Sequence, residues 1–454
     1  MVKIGLEVHG YLNTKEKLFC KCKTSHGLKE IKPNTNICPT CTGQPGSKPL
    51  LPNFEAIKKS IQIAILLGCK VNEKLVWKRK HYDWPDLPKG YQNTLSGPYS
   101  TPTGIDGKFL GIRIKEVHLE EDPASWNPET GEIDYNRSGS PLIEIVTEPD
   151  FSSSNQVVEW LKQLITTLSY IKCLEKNAGI KADVNISLPE INGKRVEVKN
   201  VNSIKNIFSA IEYEIIRQKK EPVKIQETRR FDEAENKTIK MREKEEADDY
   251  RFISEPDLPT LIIKREDIKK IKESIPETPL EKLEKIIKEY HVEKKYAEIL
   301  IKNIDIAEFF EEVIKNADVD LASKWIVIEL LRVLNYSKKE LEEVNINPKH
   351  FIELLQLIKE KKITELKAKE ILNQFIPNSF SPLELAKSNH KIDSEKEIED
   401  ICNIVIKENP QVINDYKSGK KEALNFLIGI VMQKTDKRAD FRLAKEILIK
   451  EIKE

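Results

Sequence analysis

The hydrophobic period of the chain changes near residue 265, and no other feature constrains its fold as tightly. Before that point, short runs of alternating character stand between turn-forming sequences. The runs are IGLEVH (4–9), RIKEVHLEE (113–121), LIEIVTE (142–148), ADVNIS (182–187) and RVEVKN (195–200); the turns include DLPKGY, TGIDGK, NPETGE and PEINGK. Alternation bounded by Gly, Pro and Asn reads as strands joined by tight connections. Segments 54–68, 154–171 and 204–219 predict intervening helices, so the N-terminal part is expected to be a mainly β domain built on a mixed sheet. Beyond residue 265, Leu280, Leu283, Ile286, Ile287 and Tyr290 recur at helical spacing, and helices are predicted almost without strands to the end. Ser274 to Pro279 reads as a linker, with Thr278 and Pro279 as N-cap and first turn of the next helix. NINPKH at 345–350 reads as a second break. A chain of 454 residues is too long for one core. The expectation is an α+β protein of three domains: β-rich 1–265, helical 275–345 and an all-α tail 346–454.

Two faces of the predicted strands differ sharply. In IGLEVH, Ile4, Leu6 and Val8 fall on one side, and Gly5, Glu7 and His9 on the other. The pattern recurs: His118 with Glu120, followed by Glu121 and Asp122; Asp183 with Asn185 and Ser187; Arg195 with Glu197 and Lys199; Glu144 with Glu148. Any one such strand is explained by a half-exposed sheet, which turns polar residues to water. Several strands carrying Asp, Glu, His and Asn together point instead to a shared face that binds a hard cation such as Mg²⁺, the usual carrier of phosphates.

Cys20, Cys22, Cys38 and Cys41 form a CKC pair and a CPTC pair fifteen residues apart, out of seven cysteines in the chain. Two closely spaced thiolate pairs suit tetrahedral zinc, and a four-thiolate site is closed, so its role is to clamp a loop. The alternative is four unligated structural cysteines. His26 lies inside the loop and reads as an exposed spare.

Formal net charge is +1, so contact with nucleic acid has to come from local patches. No run approaches the ~18 consecutive apolar residues of a membrane span. No cleavable leader is evident. A soluble, cytoplasmic protein without membrane contact is expected. There is no G-x-x-x-x-G-K-[ST] loop, which excludes a P-loop as a nucleotide site. Counter-charges for phosphate are sought in Arg79, Lys80, His81, Lys89, Arg137, Lys199 and Arg251. Trp77 and Trp126 read as packing, and DDYRFISEPDLP (248–259) as either an exposed loop or part of a site.

Taken in order, IGLEVHGYLNTKEKLFCKC, NICPTCTGQPGSKP, RKHYDWPDLPKGYQ, HLEED, DYNRSGSPLIEIVTEPD, VEVKNVNS, QETRRFD and DYRFISEPDLP strongly resemble the GatB family, the B subunits of aspartyl/glutamyl-tRNA(Asn/Gln) amidotransferases. The resemblance runs from residue 4 to about 262 and returns in ENPQVINDYKSGKKEALNFLIGIVMQKT (408–435). It implies a β-rich cradle, a helical domain and a tail domain. It also implies that ATP and Mg²⁺ phosphorylate the side-chain carboxylate of Asp or Glu misacylated on tRNA(Asn) or tRNA(Gln). Ammonia from an amidase subunit, GatA, then displaces the phosphate, and a small subunit, GatC, binds the pair into a heterotrimer.

Glu7 and His9 match the family's Mg²⁺-binding pair, with Glu121 of HLEED chosen as the further ligand and Asp183 and Glu197 completing or neighbouring the metal sites as catalytic residues. Ammonia kept unprotonated and away from water suits a channel lined by alternating acidic and basic groups, and Lys199, Arg79 and Glu148 are the candidates for it. One run departs from the family pattern: Gly179, Ile180, Lys181 and Ala182 stand where Ser, Leu, Arg and Cys are usual, and Lys does not replace an Arg fork neutrally. In the tail, Lys417, Lys420, Lys421, Lys434, Lys437, Arg438 and Arg442 lean basic. Alone they would be a solvated helix face; the resemblance makes them a tRNA contact through phosphate and shape. Two other readings compete. A zinc-knuckle tRNA-binding scaffold would bind tRNA without ATP turnover. A stand-alone Mg²⁺-dependent hydrolase would need a self-contained nucleophile motif, and none is visible.

Overall fold

In a computed structural model the described residues are 2–25, 31–175, 179–243, 251–388, 391–392 and 394–453. His26 and residues 248–250 lie outside them. The chain separates into two compact units, Met1–Thr278 and Pro279–Glu454.

The first unit is organised by a twelve-stranded sheet. Ten strands form its main path: β1 (Lys3–Tyr11), β2 (Lys78–His81), β3 (Tyr91–Thr94), β4 (Ile112–Glu121), β5 (Pro141–Thr147), β6 (Ile180–Ser187), β7 (Val196–Asn202), β8 (Glu227–Asp232), β9 (Lys237–Glu243) and β10 (Arg251–Ser254). They lie in the order β9-β8-β7-β6-β1-β5-β4-β3-β2-β10, while Lys70–Val71 and Gly104–Phe109 branch from β4. β7 and β8 run parallel and every other pair on the path is antiparallel, so the sheet is mixed.

Alternation decides what each face carries. Ile4, Leu6, Val8, Ile143, Ile145, Val184, Ile186, Val196 and Val198 are all buried on one side. Three helices accompany that side: α1 (Phe54–Leu66), capped by Asn53, α2 (Ser154–Tyr170), capped by Ser153, and α3 (Ile204–Lys220), capped by Ser203. α1 packs on β4, α3 packs on β6 and β7, and α2 packs on α3. Trp160 of α2 sits edge-on between Phe109 and Phe151, with ring centroids 5.9 and 5.4 Å away. The other face is left for polar side chains. Helix Arg265–Glu273 packs back on α1 and stays with this unit.

Among the described residues the second unit is built of helices, with one bridge between Asn345 and Asn378, and holds two hydrophobic cores. One gathers Ile286, Phe310, Trp325, Leu330, Phe351, Leu354 and Phe375; the other gathers Ile398, Cys402, Val405, Leu427, Val431 and Leu448. The break expected at 345–350 falls inside the first core, because Ile346 and Phe351 are both buried in it. The sequence feature there is a helix start: the Asn347 side chain accepts from the Lys349 amide and Pro348 opens the first turn of Pro348–Lys359. The change of core falls instead between Leu385 and Ile392.

Candidate active site

The polar face of the sheet concentrates acids where β1 meets its two neighbours. His9 lies abreast of Glu144 on β5, and Glu144 abreast of His118 on β4. On the other side, Glu7 lies abreast of Asp183 on β6, and His9 abreast of Lys181. A register shift between Ala182 and Val184 frees Asp183 from regular pairing with β7, and its carboxylate accepts the Asn200 amide at 2.7 Å.

Two donor sets result: His9, Glu120 and Glu144 in one, and Glu7, Asp183 and Glu197 in the other, with donor atoms within 4.8 Å of one another in each. In the first, Glu144 Oε2 lies 3.3 Å from His9 Nε2 and 3.0 Å from His118 Nε2. His118 Nδ1 faces Glu116 Oε1 at 3.1 Å, so this buried imidazole is held between two carboxylates. In the second, Lys199 Nζ reaches Asp183 at 3.0 Å and Glu197 at 3.2 Å, and Asn185 Nδ2 donates to Glu7 at 3.0 Å.

The electrostatics are those of a cation site. Burial raises the Glu7 carboxyl, and Glu144, Asp183 and Glu197 raise it further. Burial likewise raises Glu120. Burial opposes charge on His9, yet the adjacent Glu144 carboxylate wins and pushes it up to about 9; the same balance, with the Glu116 carboxylate beside its other nitrogen, takes His118 to about 10. Glu144 is held well below the carboxylate range by His118 and His9 in spite of its burial. Glu120 Oε2 is buried without a hydrogen bond. A divalent ion would complete that oxygen and offset the crowded negative charge. The all-carboxylate set suits Mg²⁺; the set with an imidazole also suits Mn²⁺.

Above these groups opens a cavity of about 620 Å³, lined by His9, Glu120 and Asp183 at the donor sets and by Tyr82, Trp84 and Pro123 among others. Trp84, half exposed, stacks edge-on against Trp126 with centroids 5.6 Å apart. Trp77 is buried against Phe19, as its packing role requires.

The residues expected in the site divide. Glu7, His9, Asp183 and Glu197 come together; Glu121 does not. Its carboxylate is taken by Lys89 Nζ and by the Asn93 amide at 2.8 Å, and Glu120, one residue earlier, stands with His9 instead. Strand parity is the reason: His118 and Glu120 share a face, and Glu121 belongs to the other. Lys80, Arg137 and Lys199 line the cavity. Arg137 is paired with Asp122 at 3.0 Å. Arg79 is committed elsewhere, gripping the buried Glu255 with two nitrogens at 2.9 and 2.7 Å and Asp257 at 3.2 Å. His81 Nδ1 lies 3.1 Å from the Arg251 carbonyl, across β2 and β10. Glu148 follows the end of β5, with its amide on the Arg113 carbonyl. In the sequence Glu120 and Glu144 belong to the shared polar face expected to bind a cation, but neither is among the ligands chosen there. Lys181, legible there only as a departure from the family pattern, also lines the cavity; burial and the nearby Arg137 lower its pKa.

Cys20, Cys22, Cys38 and Cys41 also converge, with sulfurs within 4.8 Å of one another, as a tetrahedral zinc site requires. Hydrogen bonding from Cys20 holds Cys41 down to about 4, against its burial, with the Lys17 ammonium adding to the effect. Lys17, 1% exposed, places Nζ 3.5 Å from Cys41 Sγ, 2.9 Å from the Asn36 carbonyl and 3.2 Å from the Tyr135 carbonyl. Gly43, at φ +66, lets the knuckle meet the DLPKGY turn: a Cβ there would stand 2.4 Å from the Pro88 oxygen.

In the tail, Lys420 pairs with Asp415, Lys434 with Glu408 and Lys437 with Glu370, while Arg438 donates to the Thr435 carbonyl. The side chains of Lys417, Lys421 and Arg442 have no partner among the described residues.

A mixed sheet bearing two acidic donor sets on one face, with a cysteine knuckle beside its first strand and helical cores after it, has the make-up of a catalytic domain with helical appendages. Residues 2–269 match the family described as the GatB/GatE catalytic domain, and residues 308–452 match the GatB domain. The chain therefore belongs to the GatB/GatE family. It is 47% identical to the B subunit of the aspartyl/glutamyl-tRNA(Asn/Gln) amidotransferase of Methanocaldococcus jannaschii, covering 98% of this chain and 97% of that one. The subunits of the same name from Methanothermobacter thermautotrophicus and Methanopyrus kandleri are 44% and 42% identical, each covering 98% of this chain and 99% and 98% of their own.

Proposed function

We propose that this chain works as the B subunit of a tRNA-dependent, glutamine-using amidotransferase, activating the side-chain carboxylate of Asp or Glu misacylated on tRNA(Asn) or tRNA(Gln). The observation that carries the reading is the pair of donor sets at the floor of the cavity, His9–Glu120–Glu144 and Glu7–Asp183–Glu197. Full-length similarity to chains named for that reaction supports the substrate.

A carboxylate is a poor acyl donor to ammonia, because oxide is a poor leaving group; an acyl phosphate supplies a good one. The two sets would hold Mg²⁺, whose charge would offset that on the transferring phosphoryl group. The protein's own groups do the positioning. Asn185 fixes Glu7, Asn200 and Lys199 fix Asp183, and His118 fixes Glu144, so the donors are set before nucleotide arrives. Arg137 and Lys80 line the cavity as positive counter-charges for ATP. Of the residues expected on the ammonia path, Lys199 lines the cavity in which the acyl phosphate would form.

The reading requires ammonia from an amidase partner of the GatA type and a small GatC-type subunit. The knuckle would hold structural zinc, and the helical cores of the second unit would form the helical and tRNA-contacting domains. No helix among the described residues is long and apolar enough to cross a membrane, and a translation enzyme of this kind works in the cytoplasm. The test is phosphate release by the reconstituted heterotrimer. Release only with Asp-tRNA(Asn) or Glu-tRNA(Gln), and not with uncharged tRNA, is expected and names the amino acid; tRNA binding with no release from any of them leaves a scaffold.

A further inference from the structure

Four lysine or arginine side chains line the cavity: Lys80, Arg137, Lys181 and Lys199. Three have work within the protein. Lys199 bridges Asp183 and Glu197, Arg137 takes Asp122 and two backbone carbonyls, and Lys80 lies in the field of the buried Glu120 carboxylate. Lys181 differs. It is half-buried, and among the described residues its ammonium has neither a hydrogen bond nor an ion pair.

Its position is set by the sheet. Lys181 is two residues before Asp183 on the same face of β6 and directly abreast of His9 on β1. One strand neighbour thus belongs to each donor set. Facing it are Arg137, a second cation, and the carboxylates of Asp122 and Asp183; Asp122 is already paired with Arg137, and Asp183 with Lys199. A partly desolvated ammonium whose nearby carboxylates are already paired is costly to keep, and an anion arriving from the cavity offsets that cost.

We propose that Lys181 binds the γ-phosphoryl group of the nucleotide, donating from Nζ to its non-bridging oxygens before and during transfer; this rests on the phosphoryl-transfer reading above. The substrate carboxylate oxygen forms the new bond to the γ-phosphorus, the bond from that phosphorus to the oxygen bridging it to the β-phosphorus breaks, and ADP leaves with the bond's electron pair. Lys181 gives up no proton in the step. An ammonium suits this duty because it brings a compact positive charge and three donors to those oxygens.

The experiment compares nucleotides with and without the γ-group on the reconstituted complex. Equilibrium affinities for the Mg²⁺ complexes of ADP and of the non-hydrolysable imido analogue of ATP are measured for wild type, Lys181→Met and Lys181→Arg. Lys181→Met is expected to weaken the analogue roughly 10- to 100-fold, the value of a lost charge-assisted hydrogen bond, and to leave ADP within about twofold. Lys181→Arg is expected to recover most of the analogue's affinity. Equal weakening of both nucleotides, or of neither, overturns the assignment. So does unchanged nucleotide affinity with a raised KM for misacylated tRNA, which would hand Lys181 to the substrate carboxylate. Wild type that binds neither nucleotide overturns the phosphoryl-transfer reading itself, and this proposal with it. If Lys181→Met fails to fold, Lys181→Gln carries the same comparison.

Discussion

Glu120 and Glu121 are consecutive on β4 and serve different structures: Glu120 joins His9 and Glu144 in a metal-donor set, while Glu121 is paired with Lys89. The two are chemically alike and separable by one substitution each. Glu120→Gln is expected to weaken Mn²⁺ or Mg²⁺ binding by roughly 10- to 100-fold with little change in melting temperature, since a ligand is lost and a buried crowding of like charge is relieved. Glu121→Gln leaves the half-buried Lys89 without its charge partner and is expected to lower the melting temperature by several degrees while metal affinity stays within about twofold. Titration with Mn²⁺ followed by electron paramagnetic resonance, alongside thermal melts, checks both; the reverse pattern would return the ligand role to Glu121.

His9 gives the metal-free protein a pH dependence whose sign follows from its pKa. The folded value, about 9, lies above the value of about 6.5 of an unperturbed imidazole. Protonated His9 bound to Glu144 therefore stabilises the fold fully below pH 6.5, and the contribution is lost as pH rises through about 9. A shift of that size is worth on the order of 3 kcal/mol. The stability difference between wild type and His9→Gln, both freed of divalent ions, is expected to shrink across that window when followed by urea unfolding. Because a metal needs the neutral ring, metal binding at neutral pH should also release a proton, visible as a buffer-dependent heat of binding.

The knuckle has its own internal counter-ion. Lys17 is buried and touches Cys41, with carbonyls as its other partners, and an ammonium so placed is balanced by a thiolate. Cys20→Ser is expected to release zinc and lower the melting temperature. Lys17→Met is expected to keep four sulfurs yet give up zinc to a chelator roughly tenfold faster, because one charge-assisted contact to Cys41 is gone. Release at the wild-type rate would make Lys17 a packing residue only.

Much of this was legible in the sequence, and the misses have definite causes. Period-two alternation located β1, β4, β5, β6 and β7, because each buries one apolar face; the same alternation separated Glu7 and His9 from Ile4, Leu6 and Val8. What alternation cannot supply is register. Glu144 meets His9 only because β5 lies next to β1 in one particular alignment, although the two strands are more than a hundred residues apart. Motif likeness drew Glu121 into the site, and strand parity removes it. Arg79 offers a positive charge in the sequence, yet Glu255, distant in sequence, claims that charge. Asn347 and Pro348 read as a break between helical units because a helix start and a loop share the same residue types.

The pairing of tail lysines sorts them for tRNA binding. A cation already in a salt bridge must give up its partner before it meets a phosphate, so if the tail meets tRNA, Lys420, Lys434 and Lys437 would be poorer contacts than Lys417, Lys421 and Arg442. Each phosphate contact adds somewhat less than one unit to the slope of log affinity against log salt. The double variant Lys417→Ala, Lys421→Ala is therefore expected to reduce that slope by about 1.5 and to weaken binding most at low salt. Lys420→Ala and Lys434→Ala together should change it by far less. Filter binding of tRNA at a series of potassium chloride concentrations checks both pairs. Equal slopes for wild type and the first double variant would assign these helices a solvated face and move the tRNA contact to other surfaces of the chain.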